Sequence, residues 1–129
     1  MLLFKKKFIE KIRNGEKVQT VRLWKRCMMK SGQRSYIPGV GYIRIDSVEP
    51  IELAKLTDAD AVPDGFPSAE ALRTELCILY SAEALKRLTA YIVRFTVYPP
   101  SEQQAIIEEQ NRKRAGIKEQ AQQFRYFCF

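Results

Sequence analysis

The chain has 129 residues and a mass of 15.0 kDa, enough for one main domain and little more. Apolar residues make up 46% and charged residues 29%, and the longest apolar runs are only a few residues, which excludes a membrane-spanning helix. The formal net charge of +7 is concentrated in residues 1–50, where 12 Lys and Arg face 4 Asp and Glu, so one part of the surface is expected to attract phosphates or another anionic partner.

Taken in chain order, Leu2-Leu-Phe4 reads as a short strand or an apolar lead-in. Phe4, Phe8, Ile9 and Ile12 then recur at helical spacing, with lysines on the opposite face, which predicts an amphipathic helix. Asn14-Gly15 is its stop, because glycine takes the left-handed conformation readily. Residues 18–24 alternate as a strand, with Val21 and Leu23 on one face and Thr20, Arg22 and Trp24 on the other. A basic connection through Lys25, Arg26 and Lys30 leads to two strands flanking the turn Pro38-Gly-Val-Gly41. The second alternates over residues 42–48 and extends to Leu53 after a bend expected at Pro50.

Thr57 is placed to cap a short helical turn before Pro63-Asp-Gly-Phe66 breaks it. Ser68 is placed to cap a longer helix with Ala69, Leu72, Leu76, Leu79 and Tyr80 along one stripe. A short helical stretch near residues 81–88 precedes the most strand-like segment, residues 90–98, which Pro99-Pro100 ends. Ser101 is expected to cap a last helix that stops at Gly116. Its thin apolar content puts that helix on the surface or against a partner. The aromatic tail, residues 124–129, either packs back on the domain or makes a homodimer contact through residues 101–129.

Histidine is absent, which excludes Ser-His-Asp and Cys-His catalysis and most zinc sites. The three cysteines, Cys27, Cys77 and Cys128, fit neither a disulfide framework nor a metal clamp and read as buried or incidental thiols. Any reaction must therefore run on Lys, Arg, Asp, Glu, Tyr, Thr or Ser, with no metal or cofactor called for. The N-terminus carries its charge after its apolar residues, so no signal peptide is expected and cytoplasm is the expected address.

One segment carries chemistry, Gly15-Glu-Lys17-Val-Gln-Thr20-Val-Arg22, a G-x-K-x-x-T-x-R pattern at a helix-to-strand junction. In a regular strand Lys17 and Thr20 point to opposite faces, so they converge only if Lys17 sits in the turn or on a bulge. An ammonium, a hydroxyl and a guanidinium would then surround one pocket mouth and suit a phosphate, a carboxylate or an oxyanion. The alternative is a solvated lysine on a turn. Trp24, Tyr36 and Tyr42 are candidates to stack on a base, and Lys25, Arg26 and Arg44 to hold a phosphate backbone.

This segment, with Lys30-Ser-Gly-Gln33, residues 42–48, Leu56-Thr-Asp-Ala-Asp-Ala61, Asp64-Gly-Phe66 and residues 91–95 in the same order, resembles the ASCH domain family of the PUA-like superfamily. The resemblance covers about residues 2–98, giving an ASCH-like domain over 1–99 and a helical extension over 100–129. It implies an α+β fold, a small β-barrel of about five to six strands flanked by helices, followed here by a C-terminal helix. It also implies a cleft that binds RNA, a nucleotide or a nucleoside. One branch of the family hydrolyses the amide of N4-acetylcytidine with a Lys, a Thr and a Glu, which correspond here to Lys17, Thr20 and Asp64. Aspartate is one methylene shorter than the family's glutamate, and a misplacement of about 1 Å can cost about 10²-fold.

On this reading Lys17 acts as base or nucleophile, Asp64 pairs with it or shuttles the proton, Thr20 orients substrate or water and Arg22 faces anionic charge. Burial and Arg22 would lower the lysine pKa and a close Asp64 would raise it. Three function classes follow. They are an RNA- or nucleotide-binding domain, a metal-independent amidohydrolase or RNA-cleaving enzyme, and a protein-interaction module using the C-terminal helix.

Overall fold

The computed structural model describes residues 1–127, with side chains through residue 120. The local signals of the first 24 residues act where they stand. Phe8 and Ile12 fix the buried face of α1 (Lys6–Arg13), and Gly15 follows with φ 83°. The chain then enters β1 (Gln19–Trp24). The lead-in at residues 2–4 joins no strand ladder, and its Leu2 N–H bonds the Tyr36 carbonyl at 3.0 Å.

β2 (Arg34–Ile37) and β3 (Gly41–Ile51) form the expected hairpin, and β4 (Thr89–Val97) lies between β3 and β1. The sheet is antiparallel in the order β1-β4-β3-β2. It is a curled half-barrel of four strands, fewer than the five or six expected, because the lead-in at residues 2–4 joins no ladder, and β3 itself ends at Ile51 short of Leu53, which begins a 3-10 turn.

Pro50 does not bend β3. It pairs with Tyr91 of β4, while β2 reaches only Arg44 on the other side, so the missing N–H faces no strand. The irregularity falls instead between Ile45 and Ser47, where Asp46 is bulged and its carboxylate accepts from Thr96 Oγ1 at 2.6 Å and Arg44 Nε at 2.9 Å.

Strand alternation divides the core into two clusters. Val21, Leu23, Ala90 and Ile92 pack with Leu56, Ala61, Ala69, Leu72 and Leu76. Ile37, Ile43, Ile45, Val93 and Phe95 pack with Leu2, Ile12 and Met29.

The helical caps behave as local chemistry requires. Thr57 closes a reciprocal capping box with Asp60 at α2 (Asp58–Ala61). Ser68 and Ser81 accept from the third residue of α3 (Ala69–Leu79) and α4 (Ala82–Arg87). Between α2 and α3 a 3-10 turn, Val62–Asp64, delivers Asp64 into the interior. Two stripe positions differ from expectation. Leu79 is largely exposed, and Tyr80 lies one residue beyond the helix.

The chain divides into two compact units, Met1–Val97 and Tyr98 onward. The second is α5 (Pro100–Phe127). It starts at Pro100, so Ser101 is inside it, as suits a proline fixed at helical φ in the first turn. Nor does Gly116 stop it. One glycine costs a helix about 1 kcal/mol, and the flanking residues are strong helix formers. The aromatic side chains of residues 124–129 lie outside the described residues. Cys27 and Cys77 are free and exposed, so neither is a buried thiol, and Cys128 lies outside the described residues. Among the described residues no helix is long and apolar enough to cross a membrane.

Candidate active site

Lys17 sits in the turn between α1 and β1, the position that removes the parity conflict with Thr20. Its N–H bonds the Lys11 carbonyl at 3.0 Å. The next residue joins two elements, with Val18 N–H on the Pro63 carbonyl at 2.8 Å and Phe95 N–H on the Val18 carbonyl at 3.0 Å. These bonds hold the 62–66 loop directly against Lys17. Gly65 permits that approach, because its φ is 85° and a Cβ there would lie 3.4 Å from the Lys17 Cβ. Lys11 Nζ secures the loop by donating to the Gly65 carbonyl at 2.9 Å.

The ammonium of Lys17 donates to the Asp64 backbone carbonyl at 2.7 Å and makes a close ion pair with Asp64 Oδ1. Both side chains are buried, at 3% and 2% exposure. The shorter aspartate therefore reaches the lysine because the 3-10 turn brings its backbone up as well. The other carboxyl oxygen, Oδ2, is buried and has no hydrogen-bond partner. Phe4, Phe8 and Phe66 surround the ammonium, with ring centroids 5.1–5.8 Å from Nζ.

Burial pulls the Lys17 pKa below its usual value, and Arg22 and Lys11 add to that pull, against the opposing effect of Asp64. Burial likewise raises the Asp64 pKa, against the opposing effect of Lys17. Burial thus disfavours the charged form of both partners, while their mutual attraction favours it.

Thr20 and Arg22 complete the group. Arg22 Nε donates to Thr20 Oγ1 at 3.1 Å, and its Nη2 donates to the Leu3 carbonyl at 2.7 Å. The guanidinium lies 4.7 Å from the Phe4 ring centroid. Because the Thr20 oxygen accepts from a cation, its own hydrogen is left to donate and is polarised toward doing so.

β1 is an edge strand, so one cavity meets residues from both of its faces, Thr20 and Arg22 on one and Val21 on the other. The cavity holds about 460 Å³ and is lined by Lys17, Asp64, Phe4, Phe8, Phe66 and Tyr80, with Leu72, Glu75 and Leu76 of α3 along one wall. Its size is that of a small-molecule site, apolar with a few convergent polar groups.

The structure thus brings together Lys17, Thr20, Arg22 and Asp64. Trp24, Lys25 and Arg26 line a different cavity of about 940 Å³, which Arg22 also reaches. The Trp24 ring is tilted against Tyr91, 5.5 Å away. Tyr36 packs edge-on against Tyr42 at 5.0 Å, and Arg44 is paired with Asp46, so these three lie outside both cavities.

Two polar residues were not legible as site residues from the motif. Gln19 is 1% exposed, donates to the Asp60 carbonyl at 2.7 Å and faces the Asp64 carboxyl. It is invisible to alternation, which treats a buried glutamine as a surface residue. Glu75 is buried in the cavity wall. Its signal is its spacing, since 72, 75, 76 and 79 share one helical face.

No family model matches the sequence, and no curated protein matches it. Among solved structures, the chain is similar to the hypothetical protein PH0355, with a TM-score of 0.61 and 20% identity over 74% of this chain and 95% of that one. It is also similar to protein EF3133 from Enterococcus faecalis V583, described under the family model DUF984, with a TM-score of 0.57 and 17% identity over 70% of this chain and 69% of that one. Both likenesses are of fold, a small α+β architecture.

Proposed function

We propose that the protein is an ASCH-type, metal-independent amidohydrolase acting on an acylated nucleoside of the N4-acetylcytidine kind. One observation carries this reading: a buried Lys17–Asp64 pair, with an unpartnered carboxyl oxygen, in the wall of a cavity of single-ligand size. A lysine kept for phosphate contact alone would gain nothing from burial, which lowers the charged form it needs.

In the neutral state of the pair, the Lys17 amine takes a proton from water as the water oxygen bonds to the amide carbonyl carbon. Thr20 O–H donates to the developing oxyanion, with Arg22 behind it. As the C–N bond breaks, the Asp64 acid gives its proton to the leaving nitrogen. A proton then passes from the Lys17 ammonium to the Asp64 carboxylate, and the pair is restored. The products are a carboxylic acid and the free exocyclic amine. Phe4, Phe8, Phe66 and Tyr80 supply apolar walls for a planar ring.

The test is incubation with N4-acetylcytidine, without added metal, and chromatography of the released cytidine. Release by the wild type and none by Lys17→Ala is expected. A wild type that releases no cytidine overturns the assignment.

A second reading, binding of an RNA strand or a nucleotide, is favoured by the cavity that holds Arg22, Lys25, Arg26 and Trp24. It requires an affinity that falls steeply with salt and weakens in Lys25→Ala.

A further inference from the structure

The cavity holds a second carboxylate whose surroundings are opposite to those of Asp64. Glu75 stands on α3 between Leu72 and Leu76, in an otherwise apolar wall, with its side chain 10% exposed. Lys7 Nζ reaches its carboxylate at 3.0 Å and Lys5 Nζ at 3.5 Å. The hydrogen bond from Lys7, with Lys5 beside it, holds Glu75 below the usual carboxylate range. It is therefore ionised at neutral pH and is an acceptor only.

A carboxylate has about four acceptor sites; Lys7 Nζ lies 3.0 Å from both oxygens and Lys5 Nζ 3.5 Å from Oε1, so one site stays open. What Glu75 can still bind inside the cavity must donate hydrogen. A staple between α1 and α3 would not need a carboxylate in an apolar cavity wall, where desolvation works against it. The other parts of an acylated nucleoside have their partners already, with the acyl group at Lys17, Thr20 and Asp64 and the ring against aromatic walls. The sugar hydroxyls are the donors that remain, and the 2′-hydroxyl can place its O–H on the open site of Oε2.

We infer that Glu75 is the specificity residue for the sugar, accepting a hydrogen bond from the ribose 2′-hydroxyl, so that the site selects ribosides over 2′-deoxyribosides. This rests on the nucleoside reading above and names its substrate more closely. Lys5 and Lys7 are positioning residues that hold the carboxylate ionised and oriented.

The experiment compares N4-acetylcytidine with its 2′-deoxyriboside in wild type and Glu75→Gln, by kcat/KM and by calorimetric binding of cytidine and 2′-deoxycytidine. The wild type should prefer the riboside by about 10- to 100-fold, since a site that bonds a hydroxyl through a charged group rejects the analogue lacking it. In Glu75→Gln the preference should collapse toward unity, with the change in KM and not in the ratio of kcat values. A merely structural Glu75 would shift the thermal midpoint and slow both substrates alike, leaving the preference intact, and that result overturns the inference. If neither nucleoside is hydrolysed but cytidine binds with a preference that Glu75→Gln removes, the sugar assignment stands and the hydrolase reading falls. If neither is hydrolysed and neither nucleoside binds, both fall.

Discussion

Two aspartates in this protein each face a cation, Asp64 with Lys17 and Asp46 with Arg44. The second pair is 2.9 Å apart and lies in water, with side chains 52% and 34% exposed. The first is buried among three phenylalanine rings at the wall of the cavity, with side chains 3% and 2% exposed. In water two such charges attract each other weakly. In the interior the loss of hydration dominates, lowering the Lys17 pKa and raising that of Asp64. Burial, more than the identity of the residues, separates a surface ornament from a candidate catalytic pair.

The largest expected effect comes from removing one buried partner. Lys17→Met leaves the Asp64 carboxyl buried without its cation, and stability should fall by about 3–5 kcal/mol in denaturant unfolding. A cost below about 1 kcal/mol would mean that the pair is hydrated in solution and that the contrast with Asp46 and Arg44 is unfounded.

Replacing both partners sharpens the point. Lys17→Met with Asp64→Leu should recover most or all of that loss while hydrolysis stays absent, because a well-packed apolar pair avoids the desolvation of two charges. The double variant should also lose a pH dependence. The folded pKa of Asp64 is raised, so the native state binds the extra proton and wild-type stability falls as pH rises from 3.8 toward that raised value. The folded pKa of Lys17 is lowered, so the unfolded state binds the extra proton and stability rises with pH from that lowered value toward 10.5. Unfolding free energies measured across this range should trace a trough in the wild type that is missing in the double variant. A trough that persists would assign the dependence to other groups.

The smallest effect belongs to the exposed pair. Arg44→Ala should cost less than about 1 kcal/mol and leave nucleoside hydrolysis unaltered. A larger loss would show that the bulge at Asp46 depends on this ion pair and not only on the Thr96 hydroxyl.

How far the site was legible depends on the distance over which each feature is decided. The caps at Thr57, Ser68 and Ser81 and the helix stop at Asn14-Gly15 are settled within three or four residues, and they read correctly. The stop expected at Gly116 failed because a local breaker competes with a long helical context. The bend expected at Pro50 failed because the cost of proline depends on whether a strand pairs on its N–H side, which belongs to the sheet and not to the segment. Parity already placed Lys17 in the turn if it was to meet Thr20. Its pairing with Asp64, 47 residues away, followed only from family resemblance.

By itself the sequence determined the helix boundaries set by caps, the alternation that divides the strands, and the set of side chains available for chemistry without histidine. These depend on backbone conformation and residue type, which act over a few residues. Tertiary structure alone decided that Lys17 and Asp64 are buried together, that Glu75 lines the same cavity, and that Tyr36 and Arg44 do not join them. The reason is physical: desolvation and charge proximity are set by whatever the rest of the chain packs around a residue, and no local pattern encodes that surrounding.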